Sequence, residues 1–269
     1  MKDEKRSLSG ETLEPAYLEL LANLGMTRHL GGVGATDKLV KLCQIGQGKY
    51  ILDVGCGIGK TACRLAKQLD CRLVGVDISP RMVEWSKERA RKEGVEDRAE
   101  FRTADAQDLP FEDNTFDAVF NESILSFIPD RQKALIEYIR VTKPGGYVGL
   151  NETTWIETPV PKELQEALSG NFFSGAKLET VEEWKELLAE SGLKDIIVKT
   201  FEMTARSDVL DRLKWFGFWG IIRNIYHMIF FARQSPANRK VMKRLIKLQR
   251  NMPKDFYKYY GYGLYVGRK

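Results

Sequence analysis

Between Lys49 and Leu150 short apolar runs alternate with longer amphipathic stretches. Lys49–Val54 (KYILDV) and Arg72–Val76 (RLVGV) read as buried strands, and Glu100–Thr103, Phe116–Phe120 and Tyr147–Leu150 as three more. Between them lie helical patterns over Lys60–Gln68, Ser79–Glu93 and Asp130–Val141. Ser79-Pro80 is a helix start with proline in the first turn. Lys143-Pro144-Gly145-Gly146 reads as the turn that closes the third helix. Strands alternating with helices predict right-handed βαβ units and a mostly parallel sheet. After Asn151 the regularity weakens. Val181–Ser191 is a helix closed by Gly192, and Ile196–Met203 and Tyr262–Val266 are two further strands. The prediction is α/β, with seven strands and a long helical insertion before the last.

The ends of this pattern are less regular. Residues 1–14 read as a charged tail, followed by a helix from about Pro15 to Leu24. Gly31-Gly32-Val33-Gly34 reads as a break, then Thr36–Ile45 as a helix capped by Thr36 or Asp37. The expected organisation is a tail and cap helix over 1–28, a core over 29–203, an aromatic and basic insertion over 204–260, and the last core strand over 261–269.

The first strand runs into Asp53-Val54-Gly55-Cys56-Gly57-Ile58-Gly59, and a helix follows at once. Glycines permit the tight turn and let backbone approach a ligand, while a helix N-terminus offers unpaired N–H groups. The spacing is GxGxG rather than GxGxxG. Asp53 precedes the loop, and a second acid, Asp77, ends the next strand 18 residues after Gly59. A carboxylate there can grip both hydroxyls of a ribose. Nicotinamide enzymes place an acid there too, so this feature alone leaves both cofactors open.

Further along, Ala104-Asp105-Ala106-Gln107-Asp108-Leu109-Pro110-Phe111 follows the third strand. With the glycine loop, Asp77, the strand Phe116–Phe120 and Lys143–Gly146, this makes five motifs in order. Together they resemble the class I S-adenosylmethionine (SAM)-dependent methyltransferases, in particular the small-molecule branch with the ubiquinone/menaquinone and sterol methyltransferases. The resemblance covers about residues 29–152 and implies a Rossmann-like fold with SAM as cofactor. It implies cofactor contacts at Asp53, Gly55, Cys56, Gly57 and Gly59, at Asp77, Ile78 and Met82, and at Asp105, Ala106, Gln107 and Asn121. Asp105 can accept from the adenine amino group while the Ala106 N–H donates to a ring nitrogen. Arg28–Gly32 resembles a segment that closes over the cofactor in some of these enzymes, which adds Gly32, with Tyr17 reaching the same pocket. No metal is expected.

A sulfonium methyl is already activated, so aligning the acceptor supplies much of the rate, and a base is needed only if the acceptor loses a proton. After the fourth strand the chain reads Asn121-Glu122-Ser123-Ile124. It lacks the Asn/Asp-Pro-Pro-Tyr run of the nucleobase and glutamine N-methyltransferases. An acid here resembles some isoprenoid and sterol C-methyltransferases, which makes Glu122 the catalytic candidate, as a base or as support for a cationic intermediate. Orienting a loop or holding the SAM amino group is the other reading. Glu152 is the weaker second choice, and Trp155 is either pocket lining or core.

Charge divides the chain unevenly. Residues 206–269 hold 15 Lys/Arg against 3 Asp/Glu, and residues 1–205 hold 27 against 34. Within the basic part, Leu213–Ala232 has fourteen apolar or aromatic residues in twenty, with Trp215, Phe218, Trp219, Ile222, Ile225, Tyr226 and Ile229 on one helical face. Lys214, Arg223 and His227 interrupt it, which argues against a membrane span. A substrate lid and peripheral contact with an anionic membrane through 213–258 are the two expectations, and they are compatible if the acceptor is a lipid. The four cysteines form no CxxC pair and the N-terminus has no apolar h-region. A cytoplasmic protein is expected, peripheral at the inner membrane face if that contact is made. The expected partner is a small, apolar or lipid-like acceptor. A tRNA or rRNA methyltransferase, a non-catalytic binding protein and an NAD dehydrogenase are the competing readings; no RNA-binding module is recognisable, and nucleic acid is disfavoured.

Overall fold

The computed structural model describes residues 29–168, 178–251, 253 and 255–269. The expected tail, the helix over 15–24 and Tyr17 lie outside them. Among the described residues eight strands form one sheet: β1 Tyr50–Val54, β2 Arg72–Asp77, β3 Ala99–Thr103, β4 Phe116–Glu122, β5 Thr142–Trp155, β6 Glu179–Thr180, β7 Lys194–Glu202 and β8 Tyr260–Arg268. The order is β3-β2-β1-β4-β5-β8-β7, with the two-residue β6 pairing with the end of β5. β8 runs antiparallel to both neighbours, and every other pairing is parallel. All seven expected strands are present, and β6 is the addition.

The helices are α1 Gly32–Leu42, α2 Lys60–Leu69, α3 Pro80–Glu93, α4 Arg131–Val141, α5 Lys162–Leu168, α6 Val181–Glu190, α7 Ala205–Gln234, α8 Pro236–Asn251 and α9 Phe256–Tyr259. Ser79 caps α3 and Thr180 forms a reciprocal capping box with Glu183, so both helices start where side-chain acceptors meet orphan N–H groups. Two cores cover the faces of the sheet. One gathers Leu39, Ile51, Ala62, Leu65, Leu73 and Phe101; the other gathers Leu52, Val74, Phe116, Leu135, Tyr138 and Trp184. Trp155 belongs to a satellite cluster with Leu164 and Phe256.

The structure corrects four expectations. The glycine-rich break is the first turn of α1, with Gly31 in the left-handed cap position. Thr36 therefore lies inside the helix and caps nothing; its hydroxyl bonds Glu122 instead, 2.8 Å away. Gly31 is forced by packing as well as by φ, since a Cβ there would sit 2.3 Å from the Tyr262 hydroxyl oxygen. Second, Lys143–Gly146 is the start of β5, not a closing turn. Register shifts between Phe116 and Ala118, and the Gly145 N–H and Gly146 carbonyl bond Lys269 at the end of β8. Third, β5 stays regular to Trp155 because β8 pairs along it from Tyr147 to Trp155. Fourth, the aromatic helix extends over 205–234 and breaks at Gly217, where φ is 68° and ψ 167°.

All four cysteines are free and buried. Burial pushes the Cys63 thiol up to about 12 and raises Cys43, Cys56 and Cys71 as well. Thiolate is the reactive species, so a colorimetric thiol reagent should react about 100-fold more slowly with the native protein than after guanidinium unfolding, which should release all four. A rapid single-thiol phase in native buffer would contradict this packing.

Candidate functional site

The C-terminal ends of β1, β2 and β4 meet at one edge of the sheet, where an open α/β fold places its ligands. Gly55 and Cys56 donate their N–H groups to the Val76 carbonyl, which pins the glycine loop across β2. Ser86 Oγ donates to the Gly57 carbonyl at 2.7 Å, and Arg89 Nε to Ile58 at 3.0 Å. The loop is held from outside by α3, leaving its inner edge to a ligand. Gly55 and Gly59 both have positive φ, and a Cβ would meet Ile124 at 2.5 Å and Phe101 and Ser86 at 2.9 Å respectively. Thus the glycines are required by backbone conformation and by close packing together.

Three carboxylates surround this loop. Asp77 accepts from the Gly57 and Ser79 N–H groups, both at 2.9 Å. Burial raises its pKa, partly offset by those two bonds. Asp53 is buried on β1, and its Oδ2 has no hydrogen-bond partner among the described residues. Its pKa is raised well above the usual carboxylate range, first by burial and then by Glu122 and Asp77. Glu122, at the end of β4, accepts from Thr36 Oγ1 at 2.8 Å and Thr61 Oγ1 at 3.0 Å, with His29 Nδ1 at 3.2 Å. His29 Nε2 lies 3.0 Å from both the Gly32 carbonyl oxygen and Thr36 Oγ1. The Glu122 network therefore ties the N-terminal end of α1 to the first turn of α2 across the sheet edge.

The next segment reaches the same edge because the Ala104 N–H donates to the Asp77 carbonyl. Asp105 accepts from the backbone and side chain of Gln107, at 2.9 and 3.2 Å, and Gln107 Oε1 takes the Asp130 N–H. Ala106 sits in this turn, packed against the second core. Met82 is buried with Ile58, Trp85 packs on both, and Ile78 is exposed beside Asp77. Cys56 is buried in the loop.

The structure does not bring the Asn121 side chain to this group. Successive strand residues face opposite ways, and Asn121 points away from Glu122 to donate to Glu152. Glu152 itself is fully buried. It also accepts from the Ile124 and Leu125 N–H groups at 3.0 and 2.8 Å and from Ser126 Oγ at 3.0 Å. Its four donors make it a clamp for the loop after β4. Arg131 clamps the same loop from the other side, donating to the Leu125 and Ser126 carbonyls and pairing with Glu179 at 2.6 Å. Sequence reasoning missed Thr61, Arg131 and Glu179 in these roles. Thr61, in the first turn of the helix after a glycine loop, was the one with a positional signal.

An orphan carboxylate oxygen flanked by two more carboxylates suits a cationic ligand and opposes a pyrophosphate at this loop. SAM, with its sulfonium and ammonium groups, fits; a nicotinamide dinucleotide does not. Among the described residues no group of three His, Cys, Asp or Glu could hold a metal ion.

Comparison with known proteins agrees. Residues 52–150 match the family described as "Methyltransferase domain". An uncharacterised protein of Haemophilus influenzae is 33% identical over 233 residues, covering 84% of this chain and 89% of that one. The 27-O-demethylrifamycin SV methyltransferase of Amycolatopsis mediterranei is 33% identical over 160 residues, 59% of each chain, so this chain matches only part of that enzyme's length. Among solved structures, a SAM-dependent methyltransferase from Geobacter sulfurreducens in complex with S-adenosylhomocysteine superposes with a TM-score of 0.70. It has 17% identity and covers 95% of this chain and 99% of that one. The chain belongs to the class I SAM-dependent methyltransferases.

Proposed function

We propose that the acceptor is a small, apolar or lipid-like molecule and that Glu122 is the catalytic carboxylate. The observation that carries the first part is the insertion 204–260, which opens at the edge where the cofactor residues lie. α7 packs on α1, and Met203 at its entrance lies in the same core as Tyr262, whose hydroxyl abuts Gly31 at the start of α1. In this reading the insertion covers the approach to Glu122 as a lid, and its aromatic and basic composition suits an apolar or lipid-like acceptor. The four unpaired thiols suit a cytoplasmic setting. No helix among the described residues is long and apolar enough to cross a membrane; peripheral contact through 213–258 is taken up in the next section.

Bound SAM supplies the activated methyl group. Asp53 contributes a buried acceptor for its positive charge, Asp77 an acceptor for its ribose, and Asp105 and Ala106 the edge contacts for adenine. Gly32 and Cys56 wall the loop, and Met82 and Ile78 offer apolar surface. Glu122 is held in one orientation by its three partners and adds negative charge near the methyl-transfer edge. It steadies positive charge on the acceptor or takes its proton.

Incubating the purified protein with methyl-labelled SAM and an extract of its source cells, followed by phase partition, tests the acceptor. Label in the organic phase is expected. Aqueous label lost on ribonuclease treatment would favour the RNA reading, for which the basic C-terminal region argues. The Glu122→Gln variant should lose about 10²–10⁴-fold in kcat with SAM affinity changed only a few-fold. A loss confined to SAM binding would reassign Glu122 to the cofactor.

A further inference from the structure

We propose that the outward face of the second half of α7 docks on an anionic lipid surface. The break at Gly217 separates residues 205–216 from 218–234, so the two halves are distinct helical segments joined at a kink. The second half packs on α8 with its less apolar side. Asn224 and Phe231 are turned inward, and Asn238 of α8 donates to the Phe231 carbonyl at 3.1 Å. Val241 and Met242 complete the buried side of α8.

That arrangement leaves the aromatic face in water. Trp219 is 78% exposed, Tyr226 67% and Phe218 66%, and Ile222, Ile225 and Ile229 are exposed beside them. A helix that buries an asparagine and shows water a row of tryptophan, tyrosine and isoleucine is inverted relative to an ordinary surface helix. A contiguous apolar patch of this kind marks an interaction surface.

Charge selects the occupant. Arg223 and Arg233 are exposed on the same helix, and Arg239, Lys240, Lys243 and Lys247 on α8. Apolar anchors with basic neighbours match a bilayer whose surface is anionic, with aromatic rings at the headgroup level. A second copy of this chain would bring the same basic residues against each other in a two-fold interface. A nucleic acid would use the charges and leave the isoleucines in water. With no spanning helix, the segment lies along the surface. This inference deepens the lipid-like acceptor reading, and its test does not depend on methyl transfer.

Flotation of the full-length protein with vesicles of phosphatidylcholine alone, and of equal parts phosphatidylcholine and phosphatidylglycerol, reads the interaction. Binding should be at least about tenfold stronger to the anionic vesicles and fall with salt. The triple variant F218S/W219S/Y226S should lose binding about 30-fold or more, with an unchanged melting temperature and SAM affinity. The R239Q/K240Q/K243Q variant should lose only the preference for anionic lipid. Equal vesicle binding by the aromatic variant, or none by the wild type, would overturn the proposal. So would concentration-dependent dimerisation that the aromatic variant abolishes in a protein that does not float with vesicles. Vesicle binding together with a water-soluble methylated product would leave this inference standing and remove the lipid-like acceptor.

Discussion

The Asp53→Asn variant is expected to be more stable than the wild type without ligand and nearly unable to bind SAM. Asp53 is buried, with one oxygen lacking a partner among the described residues and two carboxylates nearby. Its pKa is raised in the fold, so between the ordinary carboxylate range and the raised value the folded chain holds more protons than the unfolded chain. Stability from this group is therefore greatest at low pH and declines as pH rises through the raised pKa. An uncharged isostere removes that penalty, on the order of 1–3 kcal/mol at neutral pH, or roughly 2–8 °C in melting temperature for a chain of this size. The same change removes the acceptor we propose for the cofactor's positive charge, which should weaken SAM about 100-fold. Thermal melts between pH 5 and 8 should show the ligand-free wild type gaining stability toward acid, with a flatter profile for D53N. Calorimetric titration reads the affinity. A destabilised variant that still binds SAM tightly would refute this account of the loop.

The second large effect concerns Glu152. Truncation to alanine leaves four donors around a fully buried hole: Asn121 Nδ2, the Ile124 and Leu125 N–H groups and Ser126 Oγ. Their lost partner and the cavity together should cost about 3–5 kcal/mol in urea unfolding. Glu152→Gln keeps an acceptor oxygen for the two backbone N–H groups, and burial already disfavours the charge, so its cost should stay near 1 kcal/mol. If the two variants unfold alike, the clamp is held by shape and not by these bonds. E152Q separates the clamp from chemistry as well, since it should retain most methyl transfer if Glu152 only positions the loop.

The glycine loop, the two strand-end acids and the succession of strands and helices along the chain were legible in the sequence because each follows a local rule. A buried strand, a tight turn and a helix start leave their marks within ten residues. The Glu122 network was not, because its partners come from positions 29, 36 and 61 and only the sheet edge brings them together. Asn121 shows the same limit: its neighbour faces the glycine loop, but strand alternation turns it to Glu152. Thr36 looked like a cap because threonine favours that place, and a long-range acceptor overrode the preference. The orientation of α7 was invisible to periodicity, which finds an apolar face without saying whether it points inward.

β7 and β8 are neighbours, and Glu202 pairs with Gly261. The 58 residues between them therefore leave and rejoin the sheet at points about 5 Å apart. In topological terms the whole insertion is the loop of one long hairpin, and its length places no demand on the strands that frame it. Evolution or an engineer can exchange that loop for another, or shorten it to a turn, while the sheet closes as before. On the lid reading proposed above, the chemistry of methyl donation is thereby inherited separately from the choice of what receives it.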